Sequence, residues 1–286
     1  MQRRGYHKMK KGLVLEGGAM RGMFTCGVLD VFLEEGIEFD GAVGVSAGAT
    51  FGCNIKSKQH GRALRYNKKY CADKRYHSIS SLLTTGDIYN VKFCYDELPY
   101  KLDKWDIETF KNSPMEFYCV ATDITTGKPV YHKCLTGEKD DIIWIQASAS
   151  MPLVSRPVDI AGGKYLDGGI SDSIPLKFME EQGYDNNLVI ETQPVDYIKK
   201  PQSYMPLVRF MLRKYPNMIK AMEERYIMYN EEKKYIREKE LAGEIKVIRP
   251  DAPLNISPVE KDPAQLQRVY DLGRAKAISY LESRSM

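Results

Sequence analysis

The segment Gly44-Val45-Ser46-Ala47-Gly48 lies between an apolar run, which predicts a strand, and a run of small residues, which predicts a helix. A serine between two glycines at a strand-to-helix turn is the pattern of a nucleophile elbow, in which the turn pushes the serine out of the backbone. Only residues without bulk allow so tight a turn. The pattern is short and also occurs by chance, so its interpretation depends on the neighbouring elements. We take Ser46 as a candidate nucleophile and Gly44 and Gly48 as supports of the turn.

Composition excludes several other classes of protein. The 286 residues are 43% hydrophobic with a net charge of +4, so the chain can bury a sizeable core and offers no strong case for a nucleic-acid partner. The six cysteines form no Cys-x-x-Cys pair, so we expect neither a disulfide framework nor a metal site. Glu16 and nearby glycines interrupt the apolar stretch after the basic N-terminus, and no stretch approaches 18 apolar residues. We therefore expect a cytoplasmic protein.

The order of predicted elements indicates an α/β fold. Apolar runs at 12–15 and 40–45 predict strands, and the helical patterns that follow them predict a parallel sheet. Further strands are expected at 116–122, 129–133, 164–166, 188–192 and 244–249, with helices at 27–35, 46–58, 141–150, 175–182, 217–242 and 263–281. The polar, tyrosine-rich segment 59–113 is interpreted as helices and loops over the sheet edge or the site entrance.

The strand expected at 244–249 suggests that the C-terminal part of the chain belongs to the same sheet. We therefore predict a single domain over 1–286. Its motifs occupy about 12–195, and a helical C-terminal extension of about 196–286 packs on this core.

A glycine-rich loop, Glu16-Gly17-Gly18-Ala19-Met20-Arg21-Gly22, joins the first strand to the first helix. Small residues leave backbone N–H groups free at a helix N-terminus, where they bind anions. The anion could be a phosphate, a dinucleotide pyrophosphate or the oxyanion of an acyl-transfer intermediate. Met23 and Phe24 stand where a P-loop requires Lys and Ser/Thr, which excludes a nucleoside triphosphate.

The dinucleotide pattern G-x-G-x-x-G also fails, because Ala19 replaces its second glycine, although Asp40 lies near the spacing of a ribose-binding acid. An oxyanion hole needs only free N–H groups beside a nucleophile. The glycine loop and the elbow would lie at the same carboxyl edge of the sheet, which favours this third interpretation. A glycine turn used only for packing is the plainer alternative.

The serine hydroxyl needs a base. The histidines are His7, His60, His77 and His132, so the chain lacks the late histidine of α/β-hydrolases, and we expect the last three to be solvated surface residues. Asp167 ends a short strand and precedes Gly168-Gly169, which leaves its carboxylate uncrowded. Asp-Gly-Gly is also an ordinary turn signal. Together with the elbow and the glycine loop, it predicts that Asp167 takes the proton of Ser46 directly.

These three elements, in this order, resemble the patatin-like phospholipase family over about residues 12–195. The family pattern is a G-G-G-x-[KR]-G loop, a G-x-S-x-G elbow and a later D-G-[GA], and the stretch 147–152 (ASASMP) is similar as well. The resemblance implies a three-layer α/β/α fold around a mainly parallel sheet. It also implies a lipid acyl hydrolase with a Ser46–Asp167 dyad and an acyl-enzyme, without metal or cofactor. The long C-terminal helix is similar to bacterial members.

The resemblance assigns further roles to the glycine loop and the Asp turn. The implied oxyanion-hole residues are Gly17, Gly18, Ala19, Met20 and Arg21, and Gly168 and Gly169 support the Asp turn. Arg21 would support the loop or attract an anionic substrate. Ala19 departs from the family pattern, which has a third glycine there. Alanine disfavours positive φ but keeps its N–H, so we expect activity to survive.

The segment 197–220 carries six basic residues among apolar ones and no acidic residue. Such a segment can lie on an anionic membrane, or it can be a surface helix whose apolar side packs on the domain. The predicted function is a lipid ester hydrolase with possible membrane contact here. An acyltransferase at the same site, a non-catalytic lipid-binding protein and a nicotinamide-dependent oxidoreductase stay open as alternatives.

Overall fold

A sheet of eight strands runs through the computed structural model, which describes residues 9–285. In chain order the strands are β1 (Lys11–Leu15), β2 (Gly41–Val45), β3 (Glu116–Asp123), β4 (Pro129–Cys134), β5 (Val158–Ile160), β6 (Gly163–Asp167), β7 (Asn186–Ile190) and β8 (Lys246–Ile248). Their spatial order is β5-β6-β3-β2-β1-β7-β8, with β4 also paired to β3. The neighbours from β3 to β8 are parallel, and β4, β5 and β6 pair antiparallel. The predicted mainly parallel sheet is confirmed.

Helices cover both faces of this sheet. They are α1 (Gly22–Glu34), α2 (Ala47–Lys56), α3 (Arg62–Tyr70), α4 (Ile79–Thr85), α5 (Ile107–Asn112), α6 (Lys139–Ser148), α7 (Leu176–Glu181), α8 (Met205–Met211), α9 (Pro216–Leu241) and α10 (Pro263–Ser285). Successive strand residues point to opposite faces. Leu13 and Leu15 accordingly join the core that contains α1 and α10, whereas Val14 joins the core that contains α7 and α9. This is the predicted three-layer arrangement.

Two elements differ from the sequence expectation. Helix α1 begins at Gly22 instead of residue 27, because residues 22–32 are all buried and therefore show no polar face to mark the helical period. Strand β5 was not expected, because three residues are too few to show an alternating pattern. The remaining strands and the other predicted helices lie within a few residues of the expected ranges.

The C-terminal part of the chain shares contacts with the core at several points. Strand β8 pairs with β7, and Tyr270 on α10 donates a buried hydrogen bond to Asp30 on α1 at 2.8 Å. Arg274 adds two ionic hydrogen bonds to Glu34, at 2.7 and 2.8 Å. From these contacts we propose that the described residues form one domain. Among residues 9–285, no helix combines the length and apolar character needed to cross a bilayer.

Candidate active site

Ser46 occupies a strained turn between β2 and α2. Its backbone has φ 54° and ψ −118°, a positive φ that few non-glycine residues adopt. A Cβ added to Gly44 would lie 2.4 Å from the carbonyl oxygen of Gly48, and one added to Gly48 would lie 2.3 Å from that of Leu15. The turn has no room for a side chain at either position, which explains why glycines flank the serine.

Residues 147–152 hold both parts of the predicted dyad in place. The Ser148 hydroxyl oxygen accepts a buried hydrogen bond from the N–H of Ser46 at 2.9 Å. The carbonyl oxygen of Ser150 accepts one from the N–H of Asp167 at 2.7 Å. From the sequence, this stretch is marked only by its similarity to the family. No local pattern indicates that it accepts hydrogen bonds from the N–H groups of Ser46 and Asp167.

Asp167 lies at the end of β6 and is almost completely buried. Its Oδ1 accepts the N–H of Gly169 at 2.8 Å, and its carbonyl oxygen accepts the Thr122 hydroxyl at 2.8 Å. Burial raises the pKa of Asp167 above its ordinary value, and Arg225, a hydrogen bond with the Ser46 side chain and the Gly169 N–H each oppose that rise. The carboxylate of Asp167 therefore lies beside the side chain of Ser46, and that the two act as a catalytic dyad stays a prediction.

The glycine loop lies against the elbow. A Cβ on Gly17 would be only 3.0 Å from the Cβ of Ser46, and Ala19 borders the same cavity as Ser46. Within the described part of the chain, the N–H groups of Gly17, Gly18 and Ala19 donate to no other group. Free donors beside a candidate nucleophile are the requirement for an oxyanion hole.

Ala19 adopts φ 48°, so the loop keeps the left-handed conformation that the family glycine would favour. We expect Ala19→Gly to raise the free energy of unfolding by about 1 kcal/mol, because it relieves the strain of an alanine at positive φ. Urea unfolding of both proteins measures this difference. The matched control is Ala63→Gly inside α3, where glycine should cost about 1 kcal/mol. Equal destabilisation by both substitutions would contradict the assignment of strain to Ala19.

An apolar cavity opens beside Ser46 and has a volume of about 1050 Å³, its open mouth included. Its walls come from α2, from residues between 62 and 105, and from residues 142–155. Aromatic and aliphatic side chains such as Phe51, Tyr66, Tyr95, Trp105 and Ile142 dominate this lining. The segment 59–113 therefore contributes to the walls of this cavity, and only its tyrosine content pointed to such a role.

The histidines take no part in this arrangement. His60 pairs with Glu34 at the surface, and half-buried His132 contacts Asp141 at 2.8 Å. His77 is buried, so its expected solvent exposure was wrong, and its pKa is lowered by that burial. None of these three borders the cavity, and His7 lies outside the described residues.

His132, Cys134 and Asp141 lie within 4.8 Å of one another and are of types that can ligate a metal. However, the Asp141 oxygens already accept the N–H groups of Thr136 and Gly137 at 2.7 Å, in addition to contacting His132. The Asp141 carboxylate thus stabilises the turn before α6, and a metal ion would have to displace the hydrogen bonds from these two N–H groups. The cluster is explained as a local turn structure.

Comparisons with known proteins identify the following similarities. The family model described as patatin-like phospholipase matches residues 13–179, and a domain of unknown function (DUF6363) matches residues 215–284. The uncharacterized protein YjjU of Escherichia coli (strain K12) is 29% identical over 276 residues, which cover 92% of this chain and 74% of YjjU. Lysophospholipase nte1 of Aspergillus terreus is 28% identical over 211 residues, which cover 68% of this chain and only 12% of the fungal protein.

Among solved structures, VipD from Legionella pneumophila matches 96% of this chain and 67% of its own chain, at 14% identity and a TM-score of 0.47.

Proposed function

This chain belongs to the patatin-like phospholipase family, and from that membership we propose that it is a lipid acyl hydrolase in which Ser46 and Asp167 form a catalytic dyad. The observation that carries the proposal is the contact between the buried Asp167 carboxylate and the Ser46 side chain at a strained elbow beside an apolar cavity. A cavity of this character suits an acyl chain, which supports a lipid ester as substrate. The name of the related fungal lysophospholipase supports the same substrate class.

In the proposed reaction, Asp167 takes the proton of Ser46 while Ser46 Oγ attacks the ester carbonyl carbon. The N–H groups of Gly18 and Ala19 hold the oxyanion, and a donor of this kind is worth about 3 kcal/mol in studied hydrolases. Asp167 then protonates the leaving alcohol and the acyl-enzyme forms. Water, deprotonated by Asp167, attacks the acyl carbonyl, and the proton returns to Ser46 as the fatty acid leaves.

The proposal is tested by treating the folded wild-type protein with a fluorophosphonate probe and by measuring hydrolysis of a p-nitrophenyl ester. We expect covalent labelling at Ser46, identified by peptide mapping, together with turnover of the ester. A folded protein that neither labels nor turns over would overturn the hydrolase proposal and favour a lipid-binding role. Product analysis with an added alcohol would reveal acyl transfer at the same site.

The acid side of the pH profile should report the ionisation of Asp167. The base must be deprotonated, and burial raises its pKa above the ordinary value of about 3.9. Activity is therefore lost as the pH falls through this raised pKa, and the acid limb of kcat/KM should lie at higher pH than for a free aspartate. The profile is measured with a neutral p-nitrophenyl ester. Full activity maintained to about pH 4 would contradict Asp167 as the base.

We also propose that α8 contacts the membrane that contains the substrate. The two sides of this helix differ. Met205 and Val208 are buried, so their side packs on the domain. Leu207 and Phe210 are 51% and 68% exposed, so their side is free to contact a membrane. Leu153, between cavity-lining residues, packs against the hydrophobic cluster that includes Met205 and Val208 of α8. One hydrophobic cluster therefore links α8 to the segment that lines the cavity, and the basic residues around the helix suit an anionic surface.

The double substitution Leu207→Ser and Phe210→Ser should lower binding to phosphatidylglycerol-containing vesicles by about tenfold or more, because burying each apolar side chain is worth about 1.5 kcal/mol or more. Cosedimentation with vesicles measures the effect, and an unchanged unfolding temperature shows that the variant is folded. The matched control is Leu241→Ser, which alters a 70% exposed leucine at the far end of α9. The assignment to α8 would be contradicted if the double variant and Leu241→Ser lost vesicle binding equally, or if the double variant lost none.

A further inference from the structure

Three cationic side chains from distant parts of the chain meet beside the proposed dyad. The Arg21 guanidinium lies over the glycine loop, where its Nη2 would be 3.1 Å from a Cβ on Gly18. Arg225 of α9 lies over the Asp turn, where its Nη2 would be 3.2 Å from a Cβ on Gly169. Lys199 is half-buried near both, and its pKa is lowered to about 8 by burial and by repulsion from Arg225 and Arg21.

None of the three has a carboxylate partner within 4.0 Å among residues 9–285. Within the described residues, the Arg21 side chain makes a single long hydrogen bond, to the Thr192 hydroxyl at 3.4 Å, and Arg225 donates to the carbonyl oxygen of Gly169 at 2.6 Å. The Lys199 ammonium lies 4.3 Å from the centre of the Tyr229 ring. Most of the donor capacity of these groups is therefore unused.

Two of the nearby carboxylates, Glu16 and Glu232, already accept hydrogen bonds from other groups. Glu16 accepts the Tyr229 hydroxyl at 2.7 Å and the N–H of Thr192 on its other oxygen. Glu232 accepts the N–H groups of residues 173 and 174, and burial together with Asp172 raises its pKa well above the ordinary value. Asp167 also faces these cations, since the charges of Arg225 and Lys199 both oppose the rise of its pKa. Three partly desolvated cations around this one carboxylate leave an excess of positive charge, which a bound anion would balance.

We propose that Arg21, Lys199 and Arg225 bind the phosphate of an anionic lipid headgroup, an inference that rests on the proposed hydrolase function. None of the three borders the apolar cavity, so headgroup and acyl chain would occupy different surfaces next to Ser46. Arg225 contacts the residue two positions after Asp167, and Arg21 lies on the proposed oxyanion loop. In a glycerophospholipid only a few bonds separate the ester from the phosphate, which matches the short separation between these arginines and the proposed dyad. Guanidinium groups bind two phosphate oxygens at once, and lysine adds a point charge.

The test compares two lipids with the same acyl chain in the same detergent micelles, neutral monoacylglycerol and lysophosphatidic acid. We expect the wild-type protein to prefer lysophosphatidic acid in kcat/KM. Lys199→Met and Arg225→Gln should each lower the ratio of the two kcat/KM values by about tenfold or more, mainly through KM, because a hydrogen bond to a charged group is lost. The control is Lys200→Met, which removes the neighbouring exposed lysine and should keep the wild-type ratio.

The outcomes separate the two proposals. Hydrolysis of neither lipid would contradict the hydrolase proposal itself, whereas hydrolysis of both with equal efficiency would overturn only the headgroup site. If Lys199→Met and Arg225→Gln instead lower kcat/KM equally for both lipids, the two residues support Asp167 and do not bind a headgroup. The same conclusion follows if a shift in the acid limb of the pH profile accounts for the lower kcat/KM. Inorganic phosphate should compete in the wild-type protein and less in Lys199→Met. Such competition without any preference for lysophosphatidic acid would indicate a site for free phosphate and overturn the headgroup assignment.

Discussion

Ser46→Ala should lower ester hydrolysis by about 10⁴-fold or more and abolish fluorophosphonate labelling, and Asp167→Asn should lower turnover by about 10³-fold or more. The first substitution removes the attacking oxygen from the elbow. The second keeps the size of the side chain and an acceptor for the Gly169 N–H, but an amide cannot accept the serine proton. Initial rates with a p-nitrophenyl ester and labelling followed by gel electrophoresis measure both effects.

Two control variants make this test specific. Asp159→Asn changes an exposed carboxylate on β5, the strand paired with β6, and Ser80→Ala changes an exposed serine on α4. Both should keep wild-type turnover, because neither contacts the proposed site. If Asp167→Asn instead keeps turnover while Ser46→Ala does not, another group acts as the base and the dyad is wrong.

Lys233→Met should lower the free energy of unfolding by about 3 kcal/mol or more, because it leaves a buried carboxylate with an incomplete set of cations. Lys233 Nζ on α9 lies 2.8 Å from Oε2 of Glu191, and their side chains are 8% and 0% exposed. Arg249 also contacts Glu191 and remains in the variant, which limits the loss. Urea unfolding measures the difference. This ion pair joins the C-terminal extension to the end of β7, so the result also tests the single-domain proposal.

The effect of Lys233→Met should depend on pH in a defined direction. Burial already raises the pKa of Glu191, against the opposing charges of Lys233 and Arg249, and removal of Lys233 should raise it further. A raised pKa in the folded state means that stability is lost as the pH rises through it, so the destabilisation should be larger at about pH 8 than at about pH 5. Lys234→Met, the control, removes a 78% exposed lysine and should change stability by about 0.5 kcal/mol or less. Equal effects of the two substitutions would contradict the buried ion pair.

The parts of this protein that sequence analysis predicted well are those with a local cause. A strand alternates with period 2, a tight turn requires glycine, and a helix ends at a residue such as Gly183, which adopts φ 79°. These patterns were sufficient to predict most strands, the elbow at Ser46 and the turn after Asp167. They were weakest where burial removes the pattern, as in the wholly buried start of α1, or where the element is too short, as in β5.

The amino-acid sequence by itself thus determined the fold class, the candidate nucleophile and the candidate base, because each depends on neighbours within a few positions. Only the tertiary structure decided what surrounds them. Ser148 reaches the N–H of Ser46 across 102 positions, and Arg225 reaches Gly169 across 56. Nothing in the local sequence distinguishes such a serine or arginine from any other, since the partner is chosen by how the helices pack on the sheet. The cavity wall and the group of three cations beside the proposed dyad arise in the same way, from contacts that exist only once the chain has folded.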